Sequence, residues 1–211
     1  MVLNDRPTEP VDAALFFGRS WFDAEKTGVY QLMKDFYDQG MIKYIVLYGG
    51  DGQKFGETVP DVAAPGKRFA RDRLVKMGVP NESILDSELE DQTENNTLEE
   101  GRGMLNLVRS RGWSRVVAVA NEHQLLRATL GLIPMINNSE GEQIDLWTAA
   151  PHDTNWNKRV RGAQGEHFGP RSDHIILENN RVRQYQEKGD LASFERYHAY
   201  IQNRDQRIGI R

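Results

Sequence analysis

The chain has 211 residues, no cysteine, and 27 Lys and Arg against 31 Asp and Glu, giving a formal net charge of -4 and an isoelectric point near 5.8. That length suits one well-buried domain, and the charge balance supplies no basic field for a phosphate backbone, which argues against nucleic acid as a partner. Absence of cysteine excludes a disulfide framework, a thiol nucleophile and a thiolate metal site.

The N-terminus, "MVLNDRPTEP", lacks the basic start and apolar core of a signal peptide. No run reaches the roughly 20 apolar residues of a membrane helix. The expectation is a cytoplasmic protein without a membrane span.

Strand-length apolar runs alternate with helical periods, the pattern of a parallel sheet covered on both faces by helices. The first strand is "DAALFFG" (12–18). A helix around 26–39 follows, with Val29, Leu32, Met33, Phe36 and Tyr37 on one stripe and Gly40 as its stop. The second strand, "KYIVLYGG" (43–50), runs into a Gly- and Pro-containing stretch through residue 65, long enough to read as a lid without regular structure. A helix around 66–77 ends at Gly78 and Pro80. A short third strand lies near Ile84 and Leu85, and the next helix begins near Thr97 and ends at Gly112.

The fourth strand is "RVVAVA" (115–120) and the fifth "QIDLWTAA" (143–150). A polar loop then leads to two helices, roughly 172–188 and 191–203, with Gly189 as a stop and Asp190 as an N-cap. In the last helix Leu191, Phe194, Tyr197 and Ile201 share one face, which should dock as core. The whole reads as one domain, 1–211, with its core at about 11–150 and a C-terminal loop and helices at 151–211. No internal repeat is present.

In an open α/β sheet, ligands bind beyond the carboxyl ends of the strands, at the point where strand order reverses. Five strands in the order 3-2-1-4-5 would place the first and fourth strands on either side of that point. The strand exits are polar: Gly18, Arg19 and Ser20; Gly49, Gly50 and Asp51; Asn121, Glu122 and His123. Adjacent glycines permit either a positive φ or close approach of backbone N–H groups to an anion. Neither a dinucleotide G-x-G-x-x-G nor a phosphate-loop G-x-x-x-x-G-K-S/T follows a strand, which disfavours a conventional NAD or ATP enzyme.

"VVAVANEHQLLRA" (116–128) ends a buried run on three polar residues, an exit from the sheet into a solvent-accessible crevice. His123 and Arg127 are four apart, so on a helix they share a face and can address one group. The alternatives are a surface or satisfied structural histidine for His123, the commoner fate of a lone histidine, and a salt bridge for Arg127. Arg19, an always-charged fork at a strand end, suits a carboxylate or phosphate. Thr97 and Glu100 fit a capping box, which leaves Glu99 as either a ligand contact and acid or a solvated first-turn carboxylate. His152, Asp153 and Trp156 follow the fifth strand and could line the same pocket.

Taken together, "DAALFFGRS", "LYGG", "KMGVPNESIL", the N-T-x-E-E segment Asn96 to Glu100 and "ANEHQLLRA" resemble the YdcF/SanA/ElyC-like family, a bacterial domain family of largely unassigned function. The likeness covers roughly residues 11–135. It implies a Rossmann-like α/β fold with a polar pocket at the strand ends, and a nucleotide-like or S-adenosylmethionine-like ligand. Gly18, Gly49, Gly50, Thr97, Glu99, His123 and Arg127 fall on the family's motif positions. Glu100 stands where the family has Asn, and Tyr48 where a Ser commonly precedes the glycines. Several members carry a membrane anchor and are linked with the cell envelope; no anchor is found here.

The expected function is thus binding of a small anionic ligand. As an enzyme on a nucleotide-like or phosphate-bearing metabolite, the protein would use Arg19, Arg127 and the Gly49-Gly50 backbone to hold the anion and His123 to transfer a proton, with Glu99 or Asp51 as its partner. The competing expectation is a non-catalytic S-adenosylmethionine- or nucleotide-binding module with a regulatory or envelope-related role.

Overall fold

The computed structural model describes residues 4–17, 28–48, 53–54, 63–64, 67–87, 97–137, 143–152, 155–161 and 168–209. Strands at Val11–Phe16 (β1), Ile42–Tyr48 (β2), Ile84–Ser87 (β3), Arg115–Val119 (β4) and Asp145–Ala149 (β5), mostly apolar apart from β3, form a single sheet. Its order is β3-β2-β1-β4-β5, with every neighbouring pair parallel. This is a Rossmann-like α/β fold in the expected 3-2-1-4-5 order, and the switch point falls between β1 and β4.

Among the described residues six helices surround the sheet: α1 (Val29–Asp38), α2 (Lys67–Lys76), α3 (Thr97–Ser110), α4 (Glu122–Asn137), α5 (Arg171–Glu187) and α6 (Phe194–Ile208). Leu32, Met33 and Phe36 of α1 and Leu74 of α2 pack with Phe16, Ile45 and Val117 on one face. Leu105 and Val108 of α3 and Leu125 and Leu132 of α4 pack with Leu15, Val46 and Val116 on the other. Each fully buried aliphatic side chain contributes about 1.5–3 kcal/mol, so the central strands dominate the driving force. Gly40 is the expected stop of α1: its φ of +68° lets the chain reverse, with Gly40 N–H donating to Tyr37 O and Met41 N–H to Phe36 O.

Among the described residues two antiparallel ribbons lie outside the sheet, Gln53–Lys54 with Ala63–Ala64 and Arg159–Arg161 with Phe168–Pro170. The first corrects the expectation of a stretch without regular structure at 50–65; the remainder of that stretch lies outside the described residues. At the amino ends of the strands, Asp12 Oδ2 accepts from the backbone N–H groups of Ser114 (3.1 Å) and Arg115 (3.0 Å). The Asp that opens the first motif therefore ties β1 to the start of β4, at the opposite end of the sheet from the strand exits.

The C-terminal helices depart most from expectation. α6 starts at Phe194, and its cap is Ser193, whose Oγ accepts from Arg196 N–H at 3.3 Å; Asp190 is not the N-cap. The buried face is Tyr197, Tyr200 and Arg204, while Phe194 is 47% exposed and Ile201 half-buried. The physical reason is the edge of β5, whose outward backbone groups need polar partners. Tyr200 Oη accepts from Leu146 N–H (2.8 Å) and donates to Ile144 O (2.7 Å), and Arg204 Nη1 donates to Leu146 O (2.6 Å). The N-terminal segment completes the edge: Thr148 N–H donates to Asp5 O (3.0 Å) and Arg6 Nη2 to Ala150 O (2.6 Å). Burial pushes the Tyr197 phenol up to about 12 and raises that of Tyr200 as well, so both remain neutral.

One proline links the sheet-covering helices to this C-terminal unit. Pro134 lies inside α4 and has no N–H, which frees the carbonyl of Leu130 four residues earlier. Ala192 N–H takes that carbonyl at 2.9 Å, and beside it a Cβ on Gly131 would sit only 3.4 Å from Leu191 Cδ2. Pro134→Ala restores a competing intrahelical donor to Leu130 O. The expected result is faster hydrogen exchange at the Ala192 amide with little loss of global stability, because the gain in helix propensity offsets the weakened tether. Unchanged protection at Ala192 would refute this account of the tether.

Candidate functional site

β4 passes into α4 without a loop. Val116 to Ala120 are fully buried, and Ala120 and Asn121 alone join strand to helix, the Asn121 carbonyl accepting from both Gln124 N–H and Leu125 N–H at 2.9 Å. Glu122, His123 and Gln124 thus fall in the first helical turn, at the carboxyl edge of the sheet. β1 and β4 run side by side to this point, with Phe16 paired to Val119 and Phe17 N–H donating to Val119 O at 2.9 Å. Asn121, Glu122, His123 and Gln124 are all buried. This corrects the expected solvent-accessible exit: the polar break is interior, and burying such groups costs free energy unless they are engaged.

At His123 the neighbouring element is α5, whose His174 ring lies against it. Its inward stripe is Arg171, His174, Glu178 and Val182, while Ile176 on the same helix is 63% exposed. The outward face is mostly polar, Ser172, Asn179, Asn180, Arg183, Gln184 and Glu187, but three of the four buried positions are ionisable where an amphipathic helix normally buries carbon. The first turn is held by backbone bonds, Arg171 N–H to Lys158 O (2.9 Å) and Ser172 N–H to Trp156 O (3.1 Å), and Arg171 Nη1 donates to Asn155 O at 3.1 Å.

α4 and α5 meet in two rungs, each helix using an i, i+4 pair. In the first, the rings of His123 and His174 lie with centroids 5.8 Å apart and planes tilted by 44°. In the second, Arg127 Nε donates to Glu178 Oε2 at 2.6 Å, and Arg181 Nη1 donates to Glu178 Oε1 at 2.7 Å. Arg127 Nη1 also donates to the hydroxyl of Thr97, which joins the start of α3 to the same network. Burial alone would raise the Glu178 carboxyl, but Arg127 and Arg181 outweigh it and hold the group below its ordinary value.

Of the residues expected to form a site, Thr97, Asn121, His123 and Arg127 are brought together here. His123 and Arg127 do share a face, but Arg127 is engaged by Glu178 and Thr97 through Nε and Nη1. Glu99 lies to one side, half-buried, in an ion pair with Arg102 at 2.8 Å. Thr97 is already helical in α3, so it is not the expected N-cap, and residue 96 lies outside the described residues. Gly18, Arg19, Ser20, Gly49, Gly50, Asp51 and Asp153 also lie outside the described residues, and His152 is exposed.

Sequence reasoning missed Gln124 and the whole contribution of α5: Arg171, His174 and Glu178. A signal was present in the spacing, since His174 and Glu178 repeat the four-residue interval of His123 and Arg127. Gln124 Oε1 is buried without a hydrogen-bond partner. Among the described residues, no group of three or more His, Cys, Asp or Glu could hold a metal ion, and no helix is long and apolar enough to cross a membrane. No family model, curated protein or solved structure matches the chain, so the comparisons give the likeness to the YdcF/SanA/ElyC-like family no support.

Proposed function

We propose that the protein is a cytoplasmic small-molecule-binding protein of the YdcF-like type, an enzyme acting on an anionic, nucleotide-like or phosphate-bearing metabolite. The observation that carries this reading is the placement of four consecutive buried polar residues, Asn121 to Gln124, at the carboxyl end of β4 beside the switch point. In this reading His123 transfers the proton, and Arg19 with the Gly49-Gly50 backbone holds the anion. Arg127, committed to Glu178 and Thr97, keeps the His123 helix in register.

The test is a panel of nucleoside monophosphates, sugar phosphates and S-adenosylmethionine, followed by both melting shift and product. The expected outcome is a raised melting temperature and a product with at least one phosphate-bearing compound, product formation falling about a hundredfold in His123→Ala. Binding without product for every compound would replace this reading with the non-catalytic S-adenosylmethionine- or nucleotide-binding module. Product formation indifferent to His123→Ala would remove His123 from the chemistry.

A further inference from the structure

We propose that His174, carried by the C-terminal helix α5, is the second histidine of this site and forms with His123 the acid/base pair for hydrolysis of a phosphate ester. The inference rests on the enzyme reading above, to which it adds a second catalytic residue and a reaction class.

Three observations converge on His174. It is 5% exposed and His123 8% exposed, and their rings lie 5.8 Å apart at a tilt of 44°, so the two imidazoles sit side by side in contact. The helix that carries His174 faces the site with Arg171, His174 and Glu178 although Ile176 is at hand and lies exposed. Packing alone is better served by an aliphatic residue, because a buried ionisable group carries a desolvation cost. Finally, the Arg127–Glu178 rung, one turn along both helices, fixes the register that sets the two rings against each other.

The step balances with water as the only co-reactant. The neutral imidazole of the pair takes a proton from water as the water oxygen forms its bond to phosphorus. The protonated imidazole gives its proton to the ester oxygen as the phosphorus–oxygen bond breaks. The products are an alcohol and phosphate. The two rings have exchanged protonation states, and proton exchange with solvent resets them. Arg171, buried at the first turn of α5, lies three residues from His174 and adds a fixed positive charge on the same helix face.

The test uses the intact chain with p-nitrophenyl phosphate and a nucleoside monophosphate as probes. Rates are measured against pH for the wild type, His123→Gln and His174→Gln. The expected wild-type profile is bell-shaped; each variant loses a different limb, with kcat down about a hundredfold and KM little changed. A His174→Gln variant that keeps both limbs and shows only a lower melting temperature overturns the pair and leaves the enzyme reading standing. A wild type without turnover on any phosphate ester overturns both. Should His174→Gln fail to fold, imidazole ¹⁵N resonances of the wild type decide: inorganic phosphate is expected to shift both His123 and His174, and a shift at His123 alone overturns the pair.

Discussion

Glu178→Ala is expected to lower the free energy of unfolding by about 3 kcal/mol, the low end of the cost of breaking a buried ion pair. Glu178 is buried and takes hydrogen bonds from Arg127 at 2.6 Å and Arg181 at 2.7 Å. Removing it leaves two guanidiniums facing each other with no anion between them. Both arginines retain some exposure, 18% and 26% of their side chains, so water offsets part of the loss. Urea unfolding at neutral pH measures the change as a shift in midpoint at constant slope.

The same carboxylate makes stability depend on pH in a defined sense. Its folded-state pKa lies below the ordinary value of 4.5. The stabilisation is therefore fully present above about pH 5 and is lost as pH falls through the lower folded value. Glu178→Gln keeps the shape but removes the titration, so the acid-side slope of stability is expected to be shallower than in the wild type. Equal slopes would show that Glu178 does not titrate out of this pairing. Because Glu178 and His174 share one face of α5, its loss also frees the rung that holds the two histidines together; a fall in ligand-induced melting shift beyond the loss of stability is the functional counterpart.

The sheet was legible because β1, β2 and β4 are buried on both faces, and such strands announce themselves as uninterrupted apolar runs. Alternation of strands and helices implies a parallel sheet without fixing its order, so 3-2-1-4-5 was assumed and not read; the polar exit at Asn121 to His123 is visible in the abrupt end of "VVAVA". The C-terminal helices were not legible in the same way. Apolar periodicity identifies a helix that buries carbon, yet α5 buries Arg171, His174 and Glu178, and α6 buries Tyr200 and Arg204. In both cases the buried surface opposite is polar: a neighbouring ionisable stripe for α5, the unpaired edge of β5 for α6. Periodicity correctly placed Leu191, Tyr197 and Ile201 against the core but also favoured Phe194, which is exposed, and it missed that the free N–H and C=O of Leu146 require a phenol and a guanidinium. Arg127 was open to two readings for a related reason, since its partner Glu178 is 51 residues away and spacing within one helix cannot disclose it.

Arg204→Ala is the complementary experiment on that edge, with an expected loss of about 3–4 kcal/mol. The guanidinium is 2% exposed, lies over the Trp147 ring at 5.0 Å, pairs with Asp5 at 2.7 Å and Asp205 at 2.7 Å, and donates to Leu146 O at 2.6 Å. Asp5 and Asp205 are partly exposed and can be hydrated in the variant, so their share is small. The larger costs are the Leu146 carbonyl left without its donor, about 1–3 kcal/mol, and the lost contact with Trp147, about 0.5–2 kcal/mol. Arg204→Lys keeps the charge but not the fork, since one ammonium cannot serve Leu146 O, Asp5 and Asp205 in the same geometry; about half the loss is expected. A thermal or urea midpoint for Arg204→Lys equal to that of the wild type would show that charge alone holds α6 on β5. Faster exchange of the Leu146 amide in Arg204→Ala, with the β1 and β4 amides unchanged, would locate the damage at the edge and leave the sheet that carries His123 intact.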